Sequence, residues 1–404
     1  MVAAAVQERR ATEDDAPKGF KQTEIGVLPE DWKVVALGET LAEAPRYGVN
    51  LAGVARSGSL PTYLRITDFN DDGVLNEQGL VSVDCHPAEQ NSLLNGDLVV
   101  ARTGASTGRT FHKTYSSPNF VFAGFLIRLR PDHKRIDSAY LEAVTRTAYY
   151  RKWVKENSQR SGQPGINGRQ LATLPIPLPP LPEQEAISGA LSDADRAVRA
   201  VERLIEKKRA VKQAALHALL TPTTRLPGFD GDWETKTLGE LVSIKAGEGI
   251  TSLSISEAGS FKCYGGNGLR GYTERWTHEG VHVLIGRVGA LCGNINLADG
   301  QFFASEHALV LSHNALANPV WLSYVLSQYE LGRMSEASAQ PVLTAGKLKQ
   351  VEISVPPLTE QRAIAAILSD MDAEIAALEA RRDKLKAVKQ GMMQSLLTGK
   401  VRLV

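Results

Sequence analysis

Two short stretches carry residue types and spacings that elsewhere do chemistry. "HEGVH", His278 to His282, has the HExxH spacing of a zinc hydrolase. That chemistry needs both histidines one turn apart on a single helix face, with the glutamate as general base. Gly280 interrupts such a helix, and the following "VHVLIGRVG" is apolar and β-branched in the manner of a strand, with no third ligand apparent. The stretch reads as a turn and a strand. "GASTGRT", Gly104 to Thr110, looks like a shortened phosphate loop. A phosphate cradle needs four residues between its glycines and then a lysine. Here there are three, and Arg109 follows, so a turn between strands is the better reading.

Other candidates thin out in the same way. "NPVW", Asn318 to Trp321, echoes the four-residue motif of adenine methyltransferases, but Pro319 suits the first turn of a helix and no glycine-rich cofactor loop precedes it. Asp193, Asp195, Asp370 and Asp372 fall on helical segments among cations and are expected to be solvated or ion-paired. Cys85, Cys263 and Cys292 are far apart with no CxxC pair, which argues against a disulfide framework or zinc site and fits a reducing cytoplasm. No apolar run approaches the roughly 18 residues that span a bilayer. No nucleophile–base constellation emerges, so the chain is expected to bind rather than catalyse, with no cofactor or metal of its own. The formal net charge of +1 requires any nucleic-acid contact to use local patches or a partner.

The strongest signal is a repeat. "PPLPEQEAISGALSDADRAV" from Pro179 returns as "PPLTEQRAIAAILSDMDAEI" from Pro356, 177 positions on. The same offset joins Gln163-Pro164 to Gln340-Pro341 and Leu219-Leu220-Thr221 to Leu396-Leu397-Thr398 without a gap. Apolar residues recur at alternating steps of four and three: Ile187, Leu191, Val198, Val201 and Ile205 in one copy, Ile364, Leu368, Ile375, Leu378 and Leu385 in the other. This is a coiled-coil seam. Lys208, Lys212, Arg382 and Lys389 occupy its later positions, where Leu204, Val211 and Val388 are expected to extend the apolar face. The leading prolines stop each helix from growing backward, and Gly399 can close the second in a left-handed turn.

Between the helices the likeness is fainter. "DWKVVALGETL" from Asp31 resembles "DWETKTLGELV" from Asp232, and "VVARTGASTGRT" from Val99 resembles "LIGRVGALCGNI" from Leu284. Short β-branched runs broken by glycine and asparagine turns predict mixed, mostly β domains. The expected fold is therefore α+β: two similar domains and two long helices forming an antiparallel coiled coil. The expected boundaries are a disordered arm at 1–17, a first domain at 18–178, a helix at 179–222, a second domain at 223–355 and a helix at 356–404.

Together, "FKQTEIGVLPEDWKVVALGE", "KCYGGNGLRGYT", the paired "PPLPEQ" and "PPLTEQ" helices and the closing "LLTGKVRL" resemble the DNA-specificity subunits of type I restriction–modification systems. The resemblance implies two target-recognition domains, each reading one half of a bipartite, asymmetric site in double-stranded DNA, with the helices setting the unread gap. It implies two methyltransferase subunits that bind S-adenosylmethionine, two motor–nuclease subunits driven by ATP and Mg, and no membrane. A modification-only system is one alternative, and a coiled-coil protein-binding scaffold another. Base reading calls for polar side chains on glycine-rich loops. The candidates are Arg65, Arg102, Arg109, Lys113, Arg160 and Gln163 in the first domain, and Lys245, Asn267, Arg270, Arg275, Arg287 and Gln340 in the second. Arg102/Arg287 and Gln163/Gln340 recur, which suits phosphate positioning or structure; unshared residues such as Arg270 suit sequence reading.

Overall fold

The computed structural model describes residues 16–85, 91–115, 118–158, 162–289, 291–335 and 342–403. Most of the expected N-terminal arm, with Arg160 and Gln340, lies outside them. The chain divides into two units, Met1–Ala200 with Arg382–Val404, and Val201–Arg381. Each unit therefore combines one head with the first part of one long helix and the last part of the other.

The first head is built on two four-stranded sheets. One orders Arg46–Tyr47, Leu126–Leu129, Leu98–Ala101 and Thr110–His112, all antiparallel neighbours. The other orders Phe120–Phe122, Thr62–Leu64, Val81–Val83 and Gly53–Val54, with its first pair parallel. Leu98, Val99, Val100 and Ala101 are fully buried because both faces of their strand are covered. The entering strand Lys33–Ala36 pairs with the leaving strand Pro175–Leu178 and so ties the head shut at its base.

The second head repeats the plan. Val242–Ala246, Ala308–His313, His282–Gly286 and Ile295–Ala298 form one sheet. Gly268–Thr273, Phe261–Gly265, Gln301–Ala304 and His278–Glu279 form the other, again with one parallel pair. Glu234–Thr237 pairs with Glu352–Val355 at the base. His278 and His282 of "HEGVH" stand on two strands, with Gly280 between them at φ +94°. Asn318 of "NPVW" caps the helix Pro319–Ser327, its Oδ1 accepting from the Trp321 amide at 2.9 Å. "GASTGRT" forms a short 3₁₀ turn, Gly104–Ser106.

The long helices span Leu181–Leu219 and Leu358–Leu396, 39 residues each, or about 58 Å at ~1.5 Å per residue. Ile187, Leu191, Val198, Val201, Ile205, Ile364, Leu368 and Ile375 are buried, while Leu378 and Leu385 are half-buried. Polar seam positions are used for ion pairs that run antiparallel. Lys389 meets Asp195 at 2.6 Å in the first unit; Lys212 meets Asp372 at 2.5 Å and Lys208 meets Glu374 at 2.6 Å in the second. Asp193 pairs with Arg196 one turn along its own helix, and Asp370 is exposed. One expectation fails here. Leu204, Val211 and Val388 do not extend the apolar face; they are 40%, 47% and 51% exposed, beside seam positions that the lysines of these ion pairs hold. Gly399 ends the second helix at φ +67°, its amide bonded to Leu396 O at 3.1 Å. No helix among the described residues is long and apolar enough to cross a membrane.

Candidate nucleic-acid interface

In the first head the buried strand Leu98–Ala101 delivers Arg102 to the rim of a cleft. The Arg102 amide donates to Phe125 O at 3.0 Å, and its carbonyl accepts from the Ile166 amide at 2.9 Å. Its guanidinium lies over the Tyr47 ring, 4.7 Å from the centroid. The cleft measures about 910 Å³ and is lined by Arg65, Arg102 and Gln163 together with Asn50, Tyr63 and Phe125. Three sequence candidates distant in the chain thus share one concavity. Arg65 is held rigidly: its Nε and Nη2 donate to the buried Asp68 carboxylate at 3.1 and 2.7 Å, and Nη2 also reaches Gly79 O at 2.8 Å. The hydrogen bonds to Asp68, and its charge, raise the pKa of the guanidinium above its ordinary value. Gln163 is exposed at the rim. This combination of cations, amide and aromatic rings is suited to phosphate, base edge and base face.

The other two described candidates of the first head, Arg109 and Lys113, go elsewhere. Arg109 donates to Asp71 at 2.7 Å and to Phe69 O at 3.1 Å, bracing a neighbouring loop. Lys113 is a correction. It is 3% exposed, its Nζ donates to Asn95 Oδ1 and Thr114 O, and burial lowers its pKa below the ordinary lysine value. A side chain so enclosed pins two loops together and does not reach a groove.

In the second head Lys245, Asn267, Arg270 and Arg275 are exposed. Asn267 Oδ1 accepts from Asn294 at 3.4 Å, and Arg270 stands on the strand Gly268–Thr273. Arg275 pairs with Glu248 at 2.8 Å while its guanidinium covers Phe303, 4.5 Å from the ring centroid. Arg287 is half-buried, with its amide donating to His307 O at 2.9 Å and its carbonyl accepting from the Leu343 amide at 2.9 Å. Its main chain therefore repeats the frame of Arg102. The match extends to Gly108 and Gly293, whose amides reach Ala101 O and Gly286 O, both at 2.8 Å.

Sequence reasoning missed how the heads are tied to the helices. Glu183 and Glu360, in "PEQ" and "TEQ", are fully buried. Glu183 accepts from Trp32 Nε1 at 3.0 Å and from Arg402; Glu360 accepts from Trp233 Nε1 at 3.3 Å and from Arg225 at 2.9 and 2.7 Å. The adjoining glutamines act alike. Gln184 accepts from the Asp137 amide at 2.9 Å, and Gln361 accepts from the Asn318 amide at 2.8 Å. Asp137 and Asn318 are the N-caps of head helices, so each repeated Glu-Gln pair fixes a head to its long helix. Arg225 and Arg402 stand 177 positions apart, so the repeat offset already contained this signal.

Known proteins agree with this architecture. The type I restriction modification DNA specificity domain matches residues 29–208 and again 230–387. The type I restriction enzyme EcoprrI specificity subunit of Escherichia coli is 43% identical over 141 residues, 34% of this chain and 35% of that protein. The putative type I restriction enzyme MjaX specificity subunit of Methanocaldococcus jannaschii is 26% identical over 419 residues, 96% of this chain and 97% of its own length. A solved S subunit of a type I restriction–modification system from M. genitalium shares the fold, with TM-score 0.65 at 18% identity over 90% of this chain and 96% of its own. With one matched copy for each head, together covering well over half its length, the chain belongs to the type I restriction–modification DNA-specificity family.

Proposed function

We propose that this chain is the non-catalytic subunit that selects DNA sequence for a type I restriction–modification complex. Each head engages one half of a bipartite, asymmetric site, and the paired helices set the unread gap between the halves. Two methyltransferase subunits dock on the chain and two motor–nuclease subunits complete the assembly. S-adenosylmethionine, ATP and Mg belong to those partners, and the site of action is the cytoplasm. The observation that carries this reading is the duplicated frame. Two heads hold the same arginine in the same hydrogen bonds, Arg102 to Phe125 and Arg287 to His307, while the side chains around it differ. That arrangement suits a shared grip on backbone phosphate with separate reading of bases. The low net charge is compatible with it, since partners can add the phosphate contacts that dominate non-specific affinity.

Mapping of N6-methyladenine in cells carrying the chain and its partner methyltransferase tests the proposal. A split motif with a fixed gap is the expected result. Residues inserted at 222–224, after the first long helix, should lengthen that gap and leave both half-motifs unchanged. Altered half-motifs with an unaltered gap would overturn the spacing role, and a continuous or absent motif would overturn the whole reading.

A further inference from the structure

Each head contains, at the corresponding place, a tight turn that passes the chain from one sheet to the other. In the first head it joins Phe120–Phe122 to Leu126–Leu129 and carries Gly124 and Phe125 at its tip. In the second it joins Gln301–Ala304 to Ala308–His313 and carries Glu306 and His307. The frames coincide bond for bond. Leu126 N donates to Ala123 O and Ala308 N to Ser305 O, both at 2.9 Å. Val49 N donates to Phe122 O and Glu248 N to Ala304 O, also at 2.9 Å. Gly124 N reaches Val49 O at 2.8 Å, and Glu306 N reaches Glu248 O at 3.0 Å. The arginine amides complete the set, Arg102 to Phe125 O and Arg287 to His307 O. What the frame displays is different. Phe125 leaves 57% of its surface in solvent at the edge of the cleft, whereas His307 offers an imidazole whose side chain is 48% exposed, 3.4 Å from Glu306.

We infer that this turn is a specificity-determining position in each head, and that Phe125 reads a thymine through its C5 methyl group. The inference rests on the DNA-reading role proposed above. The shared arginine is bonded through its main chain to the residue at the tip, so its backbone and the tip hold a fixed relation in both heads. A group common to both heads cannot make their half-sites differ; the tip can. An exposed phenyl ring has no hydrogen bond to offer, and the apolar group that the major-groove edge presents is the thymine methyl. His307 in the same place can donate or accept a hydrogen bond and so favours a different edge. Neither tip was singled out by motif or spacing, because each is defined by where two sheets meet.

The test uses the chain assembled with its methyltransferase partner and duplexes carrying the mapped site. Each thymine of the half-site read by the first head is replaced in turn by deoxyuridine, which removes only the methyl. Wild-type complex should lose about fourfold in affinity at one position, the worth of one buried methyl. Phe125→Ala should bind the thymine and deoxyuridine duplexes alike at that position. Phe125→Leu, which keeps an apolar tip and serves as the folding control, should retain part of the discrimination. His307→Ala should leave that position untouched and alter preference in the other half-site. Equal affinity at every thymine, a half-site without an A·T pair, or equal weakening of specific and scrambled DNA by Phe125→Ala would each overturn the inference. The last outcome would instead mark Phe125 as a wedge between base steps. Failure of the DNA-reading role itself is separate: wild-type complex would then show no preference for its own site over scrambled duplex.

Discussion

Arg402, just beyond the second long helix, closes on Glu183 at the start of the first, 219 positions earlier, with Nη2 at 2.7 Å from Oε2. It also grips Asp31 with bonds of 3.0 and 2.9 Å, which hold that carboxyl below the ordinary aspartate pKa. In the second unit Arg225 follows the first long helix and closes on Glu360 at the start of the second. The two latches are copies related by the 177-residue repeat. Each links a head tryptophan, a helix start and the segment after the other helix through one buried carboxylate.

Removing that carboxylate should be costly. Glu183→Ala leaves Trp32 Nε1 and part of the Arg402 guanidinium unpaired in a buried setting, a loss of about 2–3 kcal/mol once the partial exposure of Arg402 is allowed for. The damage should stay in the first unit. Hydrogen exchange should accelerate in Lys33–Ala36 and the first turns of Leu181–Leu219 and stay unchanged in Glu234–Thr237. Glu360→Ala should give the mirror result. Uniform acceleration in both units would contradict independent latches.

The long helices separate core from flank more sharply than periodicity alone could. Ile187→Ala should lower stability by about 3 kcal/mol, because the side chain is fully buried in the first-unit core beside Leu396 and Leu397. Val388→Ala, at a seam-adjacent but half-exposed site, should stay within about 0.5 kcal/mol. Urea denaturation distinguishes the two; comparable losses would mean that Val388 is covered in solution.

The repeat, the two α+β heads and the helix starts were legible because each is local or periodic. Proline fixes a boundary, a 3.5-residue step fixes a seam, and glycine fixes a turn. Of the candidate interface, part of the framework was legible. Arg102 and Arg287 stood out because the pattern around them recurs, and the structure gives them one main-chain frame. Lys113 misled because its burial depends on Asn95 and on the turn at Gly96, whose amide bonds to Lys113 O at 2.8 Å. Phe125 and the Glu183–Arg402 latch depend on chain segments that meet only in the fold, where neither propensity nor spacing reaches.

Acid should loosen the second head. His278 packs against Phe302, with near-parallel rings 5.5 Å apart, and against His282 at 5.7 Å; His313 lies 6.3 Å from His282. Burial first, and then the neighbouring His282, hold His278 and His313 below the ordinary histidine pKa, with Glu248 opposing weakly at His278. Protonation is thus harder in the folded head than in the unfolded chain. The stabilisation is complete above the unfolded pKa of about 6.5 and is lost as pH falls through the lower folded values. Hydrogen exchange in His282–Gly286, corrected for its intrinsic pH dependence, should show weaker protection at pH 5.5 than at 7.5. His313→Gln should flatten that dependence. A pH-independent result in the wild-type chain would refute it.

The tip-bearing turns make a final demand on glycine that is about space. A Cβ at Gly48 would stand 2.1 Å from Phe122 O and 2.4 Å from Ala123 O; at Gly247 it would stand 2.2 Å from Ala304 O and 2.4 Å from Ser305 O. Both contacts are with backbone, which cannot rotate away, so alanine must push the strand off the turn. The bridges Val49↔Ala123 and Glu248↔Ser305, which adjoin these glycines, should break, displacing Phe125 or His307 respectively. Gly48→Ala should therefore cost about 1–3 kcal/mol in the first unit and erase discrimination against a scrambled first half-site, while the second half-site is read normally. Gly247→Ala should do the reverse. Competition binding with duplexes scrambled in one half at a time measures both, and a variant that lost both halves together would show that the heads are not read out independently.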